Sequence, residues 1–161
     1  LETLYQKTPS QMCDSTSVLI GLKRMLDATR SLKPGDHFID FKQVEYAEKD
    51  SLLFSDIAGQ GHPVCLLFFL KPDEKGTVRA EIKNLREQYP DIRVIVPTYR
   101  YPDPESKEFI HELETVYQAP ILDDSRRFEK SARWKYRIYG SFNYEYLFDV
   151  QGQLVKMKPV L

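Results

Sequence analysis

The chain has 161 residues, enough for one domain with a short extension. Lys and Arg total 23 against 24 Asp and Glu, a balance that argues against an electrostatically driven nucleic-acid surface. Apolar residues make up 42% and suffice for a core, yet the longest apolar run, Val64 to Leu70, is one strand long and far too short to span a membrane.

Residues 1 to 13 show no period. Leu1 rather than Met opens the chain, which reads as a piece of a longer or processed protein whose leader or anchor would already be gone. Asp14 and Ser15 offer helix N-caps, and Val18, Leu19, Leu22, Met25 and Leu26 recur on one helical face. Pro34 and Gly35 stop that helix, so residues 1–32 read as an extension and residues 33–161 as the main domain. Residues 36 to 44 alternate like an edge strand, and Ser51 to Ile57 reads as a turn. Pro63 opens the run Val64 to Leu70, which suits a strand covered on both faces.

Thr77 to Tyr89 carries Val78, Ile82, Leu85 and Tyr89 on one stripe and predicts a helix ended by Pro90. Ile92 to Val96 predicts a buried strand. Asp103 and Pro104 open a further helix with Phe109, Ile110, Leu113, Val116 and Tyr117 inward. Glu105, Glu108, Glu112 and Glu114 then form its solvated face. Pro120 to Leu122 is a short strand and Ser125 to Tyr139 a helical stretch. Tyr144 to Val150 and Leu154 to Val160 flank Gln151-Gly152 as a hairpin. The order predicts an α/β fold, a mixed sheet with helices on both faces.

Several local sequences, in this order, resemble the thioredoxin superfamily, in its peroxiredoxin and TlpA-like branch, the alkyl hydroperoxide reductase/thiol-specific antioxidant group. They are Lys33 to Phe41, Leu53 to Gly59, Pro63 to Phe69, Arg79-Ala80-Glu81, Asp123 to Ser125, Tyr139-Gly140, and Tyr146 to Asp149 with Gly152. Ile39 stands where that group has proline. The resemblance implies a thioredoxin-like fold and places the active site at the strand-to-helix junction before Arg79-Ala80-Glu81. The cysteine positions of C-x-x-C, and the threonine and cysteine of T-x-x-C, fall on Lys75 and Val78, so the junction reads Lys75-Gly76-Thr77-Val78 with no sulfur. A thiolate at a helix N-terminus is stabilised by the helix dipole, and valine supplies neither nucleophile nor electrons. The cis-proline position of the fold falls on Asn143, where a cis bond would be costly. The group also carries a final helix after the hairpin. No residues follow Leu161 here, so the N-terminal helix is expected to cover the apolar sheet surface left open.

Both hallmarks being absent, the expected function is a redox-inactive thioredoxin-like binding or accessory module, with no catalytic residue, cofactor or metal. The alternative is a thiol-disulfide oxidoreductase or peroxidase with a displaced nucleophile, and a third reading is a structural subunit of an envelope complex. Cys65 reads as a small core residue and Cys13 as part of the extension. His37, His62 and His111 lack metal-ligand spacing, and no phosphate-binding glycine motif occurs. Lys75, Gly76, Thr77 and Arg79, at a helix N-terminus with two cations, are a candidate anion site. Trp134, Tyr136, Tyr144 and Tyr146, with Tyr139, Phe142 and interleaved Arg126, Arg127, Arg133, Lys135 and Arg137, read either as a partner surface or as core. Expected partners are a protein, a peptide or a small anionic ligand, not nucleic acid. By analogy with TlpA-like domains the location is extracytoplasmic in a bacterium, with the cytoplasm as the alternative.

Overall fold

The computed structural model describes Leu19, Leu22 and residues 32–46, 50–69, 76–98, 107–125, 131–138 and 143–160. The chain divides into two compact units, Leu1–Ser31 and Leu32–Leu161. In the first, Leu19 and Leu22 are helical. The expectation that this helix covers the sheet lies outside the described residues, as do Cys13, Lys75, Arg126 and Arg127.

The second unit is built on seven strands: β1 (Lys42–Glu45), β2 (Ser51–Leu53), β3 (Val64–Phe68), β4 (Arg93–Thr98), β5 (Ile121–Asp123), β6 (Asn143–Phe148) and β7 (Leu154–Val160). Helices α1 (Thr77–Gln88), α2 (Lys107–Thr115) and α3 (Ala132–Lys135) alternate with them. The sheet order is β2-β1-β5-β4-β3-β6-β7. β3, β4 and β5 run parallel, and every other pairing is antiparallel.

Two successive crossovers, β3-α1-β4 and β4-α2-β5, step in the same direction across the sheet. Right-handed crossovers then place α1 and α2 on one face. Packing agrees: Val78, Ile82 and Leu85 of α1 and Ile110 and Leu113 of α2 join Cys65, Leu67, Val94, Val96, Ile121 and Leu147 in one buried layer. The other face is aromatic. Phe41, Phe54, Phe68, Tyr136, Tyr146 and Phe148 pack there with Leu66, Ile95 and Leu122. All five residues of β3 are buried, as its unbroken apolar run requires. No helix among the described residues is long and apolar enough to cross a membrane.

Three readings of the sequence are corrected. Ser51 to Ile57 is not a turn: Ser51–Leu53 is the edge strand β2, followed by a 3₁₀ turn at Phe54–Asp56 that buries Phe54. The strand expected at the edge, around residues 36 to 44, is one place in, because β2 pairs outside β1. Val116 is 68% exposed, because α2 ends at Thr115 and turns it out of the buried stripe.

The β6–β7 turn is anchored to the start of the domain. Phe38 N–H donates to the Gly152 carbonyl, and Gly35 N–H to Leu154. Gly152 has φ +84°, and a Cβ there would lie 2.6 Å from the Phe38 ring, so both backbone and space demand glycine. At the outer edge β7 carries Pro159, Lys156 and Lys158, residue types that discourage pairing with a further strand.

Candidate functional site

The junction singled out by the sequence lies where β3 hands over to α1. Gly76 caps α1 in the left-handed region, at φ 78°, and its carbonyl accepts from Ala80 N–H at 2.9 Å. Thr77 is half-buried at the first helical position. Val78, where the resemblance places a cysteine, is fully buried in the layer beneath α1. Its side chain fills core and presents nothing to solvent.

Arg79 is engaged by side chains of α2. Its guanidinium pairs with the Glu112 carboxylate of α2 and lies over the Phe109 ring, 4.7 Å from the centroid. Two turns further on, Arg86 donates to the Tyr117 carbonyl. These arginines fasten α1 to α2, and Glu112 is a clamp partner instead of part of a wholly solvated face. One of the two cations of the candidate anion site is thus held in an ion pair with α2.

Cys65 lies between Val94 of β4 and Leu147 of β6 and has no exposed surface. Burial raises its thiol pKa well above the ordinary value, and the nearby carboxylates of Glu145 and Glu81 raise it further, against Lys156 and Lys158. A thiol held protonated inside a sheet is neither nucleophile nor metal ligand. Asn143 is half-buried at the first position of β6, opposite Val160. No cis peptide occurs among the described residues.

The aromatic group resolves into two kinds. Tyr136 and Tyr146 are buried at 1% and 4% exposure, so neither belongs to a partner surface. The Tyr136 hydroxyl donates to the Ile39 carbonyl at 2.7 Å and accepts from Ile39 N–H at 3.1 Å; Tyr146 donates to the Tyr136 carbonyl at 2.9 Å. Buried phenols need such partners, and here the partners are backbone. Trp134 and Tyr144 are half-buried and remain accessible. Of the interleaved basic residues, Arg133 is buried and Lys135 donates to the Asp40 carbonyl.

Sequence reasoning passed over Asp124. Its carboxylate has no exposed surface, and it accepts from Gln43 Nε2 at 3.1 Å, Ala132 N–H at 2.6 Å and Arg133 N–H at 2.8 Å. It caps α3 together with Ser131, whose Oγ accepts from Trp134 N–H. The signal was a carboxylate seven residues before a Ser-Ala helix start, which only the folded loop brings to the cap.

At the opposite end of the sheet, a depression of about 230 Å³ is lined by Ile57, Val94, Ile95, Arg93, His62 and Asp56. A second, lined by Arg86 and Asp91, shares Arg93 and His62 with it. The first sets Asp56 against Arg93, and the second sets Asp91 against Arg86 and Arg93. Among the described residues no cluster of His, Cys, Asp and Glu could hold a metal ion.

Solved structures share this architecture. A thiol peroxidase from Chromobacterium violaceum superposes with a TM-score of 0.59 at 17% identity, covering 81% of this chain and 77% of that one. The fold is thioredoxin-like. The thioredoxin domain of a thiol-disulfide oxidoreductase from Bacteroides vulgatus gives 0.58 at 19% identity, over 80% of this chain and 89% of that one. A peroxiredoxin-like protein from Aquifex aeolicus gives 0.59 at 15%, over 81% and 77%. Identities this low establish the thioredoxin-like fold and not the chemistry. No protein-family model matches the sequence, and no curated protein matches it.

Proposed function

We propose that this thioredoxin-like domain is a binding or accessory module that engages a protein or peptide without thiol turnover. The observation that carries the reading is Val78: the residue at the cysteine position of the junction is an apolar side chain sealed in the core. The one described cysteine, Cys65, is sealed as well. Half-buried Trp134 and Tyr144 supply accessible aromatic surface of the kind that anchors protein partners. An extracytoplasmic location belongs to the same reading and rests on the TlpA-like resemblance.

The similar structures named for thiol peroxidase and thiol-disulfide oxidoreductase activity favour a second reading, in which the domain itself performs thiol chemistry. Its nucleophile would then be Cys13. Peroxide consumption and insulin reduction, with dithiothreitol as electron donor, separate the two. The binding-module reading predicts background rates for the wild type, Cys13→Ser and Cys65→Ser alike. Turnover at least tenfold above background in the wild type, lost in Cys13→Ser, would establish the second reading.

A further inference from the structure

At the pole opposite the junction the sheet leaves a gap in its own hydrogen bonding. Along β4 the main chain alternates between its two neighbours. Arg93 N–H donates to the Pro63 carbonyl at 2.9 Å, and the Pro97 carbonyl accepts from Phe69 N–H at 3.2 Å, so the odd-numbered residues face β3. Val96 N–H donates to the Pro120 carbonyl at 3.0 Å, and the Thr98 carbonyl accepts from Asp124 N–H at 3.0 Å, so the even-numbered residues face β5. Val94 also faces that side, and β5 does not serve it. Pairing with β5 starts at Val96, opposite Ile121. Pro120 stands where a donor to the Val94 carbonyl would be, and proline has no N–H. Gln118 stands where an acceptor for Val94 N–H would be. Its backbone is left-handed, at φ 47°, and no bond joins the two.

The first of the two depressions opens at this gap. Val94 lines it together with Ile57, Ile95 and Pro120. The Val94 side chain belongs to the layer beneath α1, so what Val94 turns toward the depression is its main-chain edge. Main-chain groups left unmet by protein call for water or a ligand. Arg93 and Ile95 lie on one face of β4 by strand alternation, so a cation and an apolar wall flank that edge. Arg93 is exposed and has no ion-pair partner among the described residues. It also lines the second depression, with Arg86 and Asp91. At about 230 and 240 Å³, each depression lies below the ~300 Å³ at which pockets for drug-sized ligands begin, so each takes a group about one residue in size.

We propose that this cleft binds the C-terminal end of an extended peptide with an apolar last residue. The last residue exchanges two hydrogen bonds with Val94, as in the hydrogen-bonded pair of antiparallel strands. Its N–H donates to the Val94 carbonyl, and its carboxylate accepts from Val94 N–H. The Arg93 guanidinium donates to the second carboxylate oxygen. The apolar side chain lies on Ile57, Ile95 and Pro120, and the preceding residue runs into the second depression. Asp56 and Asp91 on the same walls leave no excess of positive charge, which fits one carboxylate on one guanidinium and disfavours a phosphate dianion. The site is separate from Trp134 and Tyr144 and does not depend on either as a partner surface.

Amide exchange in the free protein tests the gap. Val94 N–H should exchange faster than the amides of Ile95 and Val96, and equal protection of all three overturns the proposal. Binding is tested by ¹⁵N–¹H NMR titration of the full chain with N-acetylated tetrapeptides ending in leucine, valine or phenylalanine, each as free acid and as C-terminal amide. A free acid should shift the amides of Val94 and Arg93 saturably, and its amidated form should bind at least about tenfold more weakly. A peptide ending in glycine should lose about tenfold as well, since it buries no side chain. Arg93→Gln should weaken the free acid to the level of the amide with the rest of the spectrum unchanged, whereas Trp134→Ala should leave its affinity intact. Equal binding of acid and amide, or no saturable shift at Val94 from any of the three acids, overturns the site, and neither result needs a variant. Loss of binding in Trp134→Ala with Arg93→Gln unaffected would place the peptide on the aromatic surface instead, and would overturn this cleft without touching the binding-module reading.

Discussion

Replacing Asp124 with alanine is expected to destabilise the domain by about 3 kcal/mol at pH 5, because three donors lose their acceptor inside the protein. The donors are the Gln43 amide and the N–H groups of Ala132 and Arg133, so the loss detaches both β1 and the start of α3 from the end of β5. The pH dependence gives the prediction a signature. Burial raises the Asp124 carboxyl to about 6, opposed by hydrogen bonds from Arg133, Ser131 and Ala132. Between pH about 4 and 6 the folded protein therefore holds a proton that the unfolded chain has released, and the contribution of Asp124 falls as pH rises through that window. The gap between wild type and Asp124→Ala should narrow by about 1 kcal/mol from pH 5 to pH 7. Urea unfolding at both pH values measures it. A gap that widens with pH would show that Asp124 is held as a favourable carboxylate instead.

Tyr136→Ala should be the most damaging of the aromatic substitutions, at about 4 kcal/mol, with Tyr136→Phe costing about 1 to 2 kcal/mol. The ring meets Phe41 at 6.1 Å, Phe68 at 5.6 Å, Tyr146 at 5.2 Å and Phe148 at 6.2 Å, so its removal opens a cavity bounded by four other rings. The hydroxyl makes two bonds to Ile39 across 97 residues of sequence, and Tyr136→Phe leaves that backbone pair without its partner. Thermal unfolding separates the two contributions. A residue placed on a partner surface would behave differently, losing affinity and leaving the melting temperature within a degree or two.

The regular part of the fold was legible because its chemistry is local. The stripe Val78, Ile82, Leu85 states a helix, and Val64 to Phe68 states a buried strand. Gly152 marks the hairpin turn, and its backbone is left-handed as the turn requires. The failures lie where the neighbour decides. Ser51–Leu53 is a strand only because Lys42–Val44 pairs with it, and three residues carry no period of their own. Tyr136 and Tyr146 could have faced either way by spacing; what buries them is a hydrogen-bond chain running to Ile39, a partner no local window contains. Arg79 looked like a free cation at a helix start, and Glu112 was 33 residues away. Glu145 alternates with Tyr144 and Tyr146 as a solvent-facing residue of a hairpin would, yet α1 and the lysines of β7 close over it.

The most direct test of the account is alkylation of Cys65 by a maleimide in folded Cys13→Ser protein, compared with the same protein in urea. The sealed strand predicts labelling in native buffer at least a thousandfold slower than in the unfolded chain, and no acceleration when hydrogen peroxide or a disulfide is offered first. Labelling at the rate of an exposed cysteine would contradict it, since a reactive thiol would then stand in the sheet that the binding-module reading treats as inert.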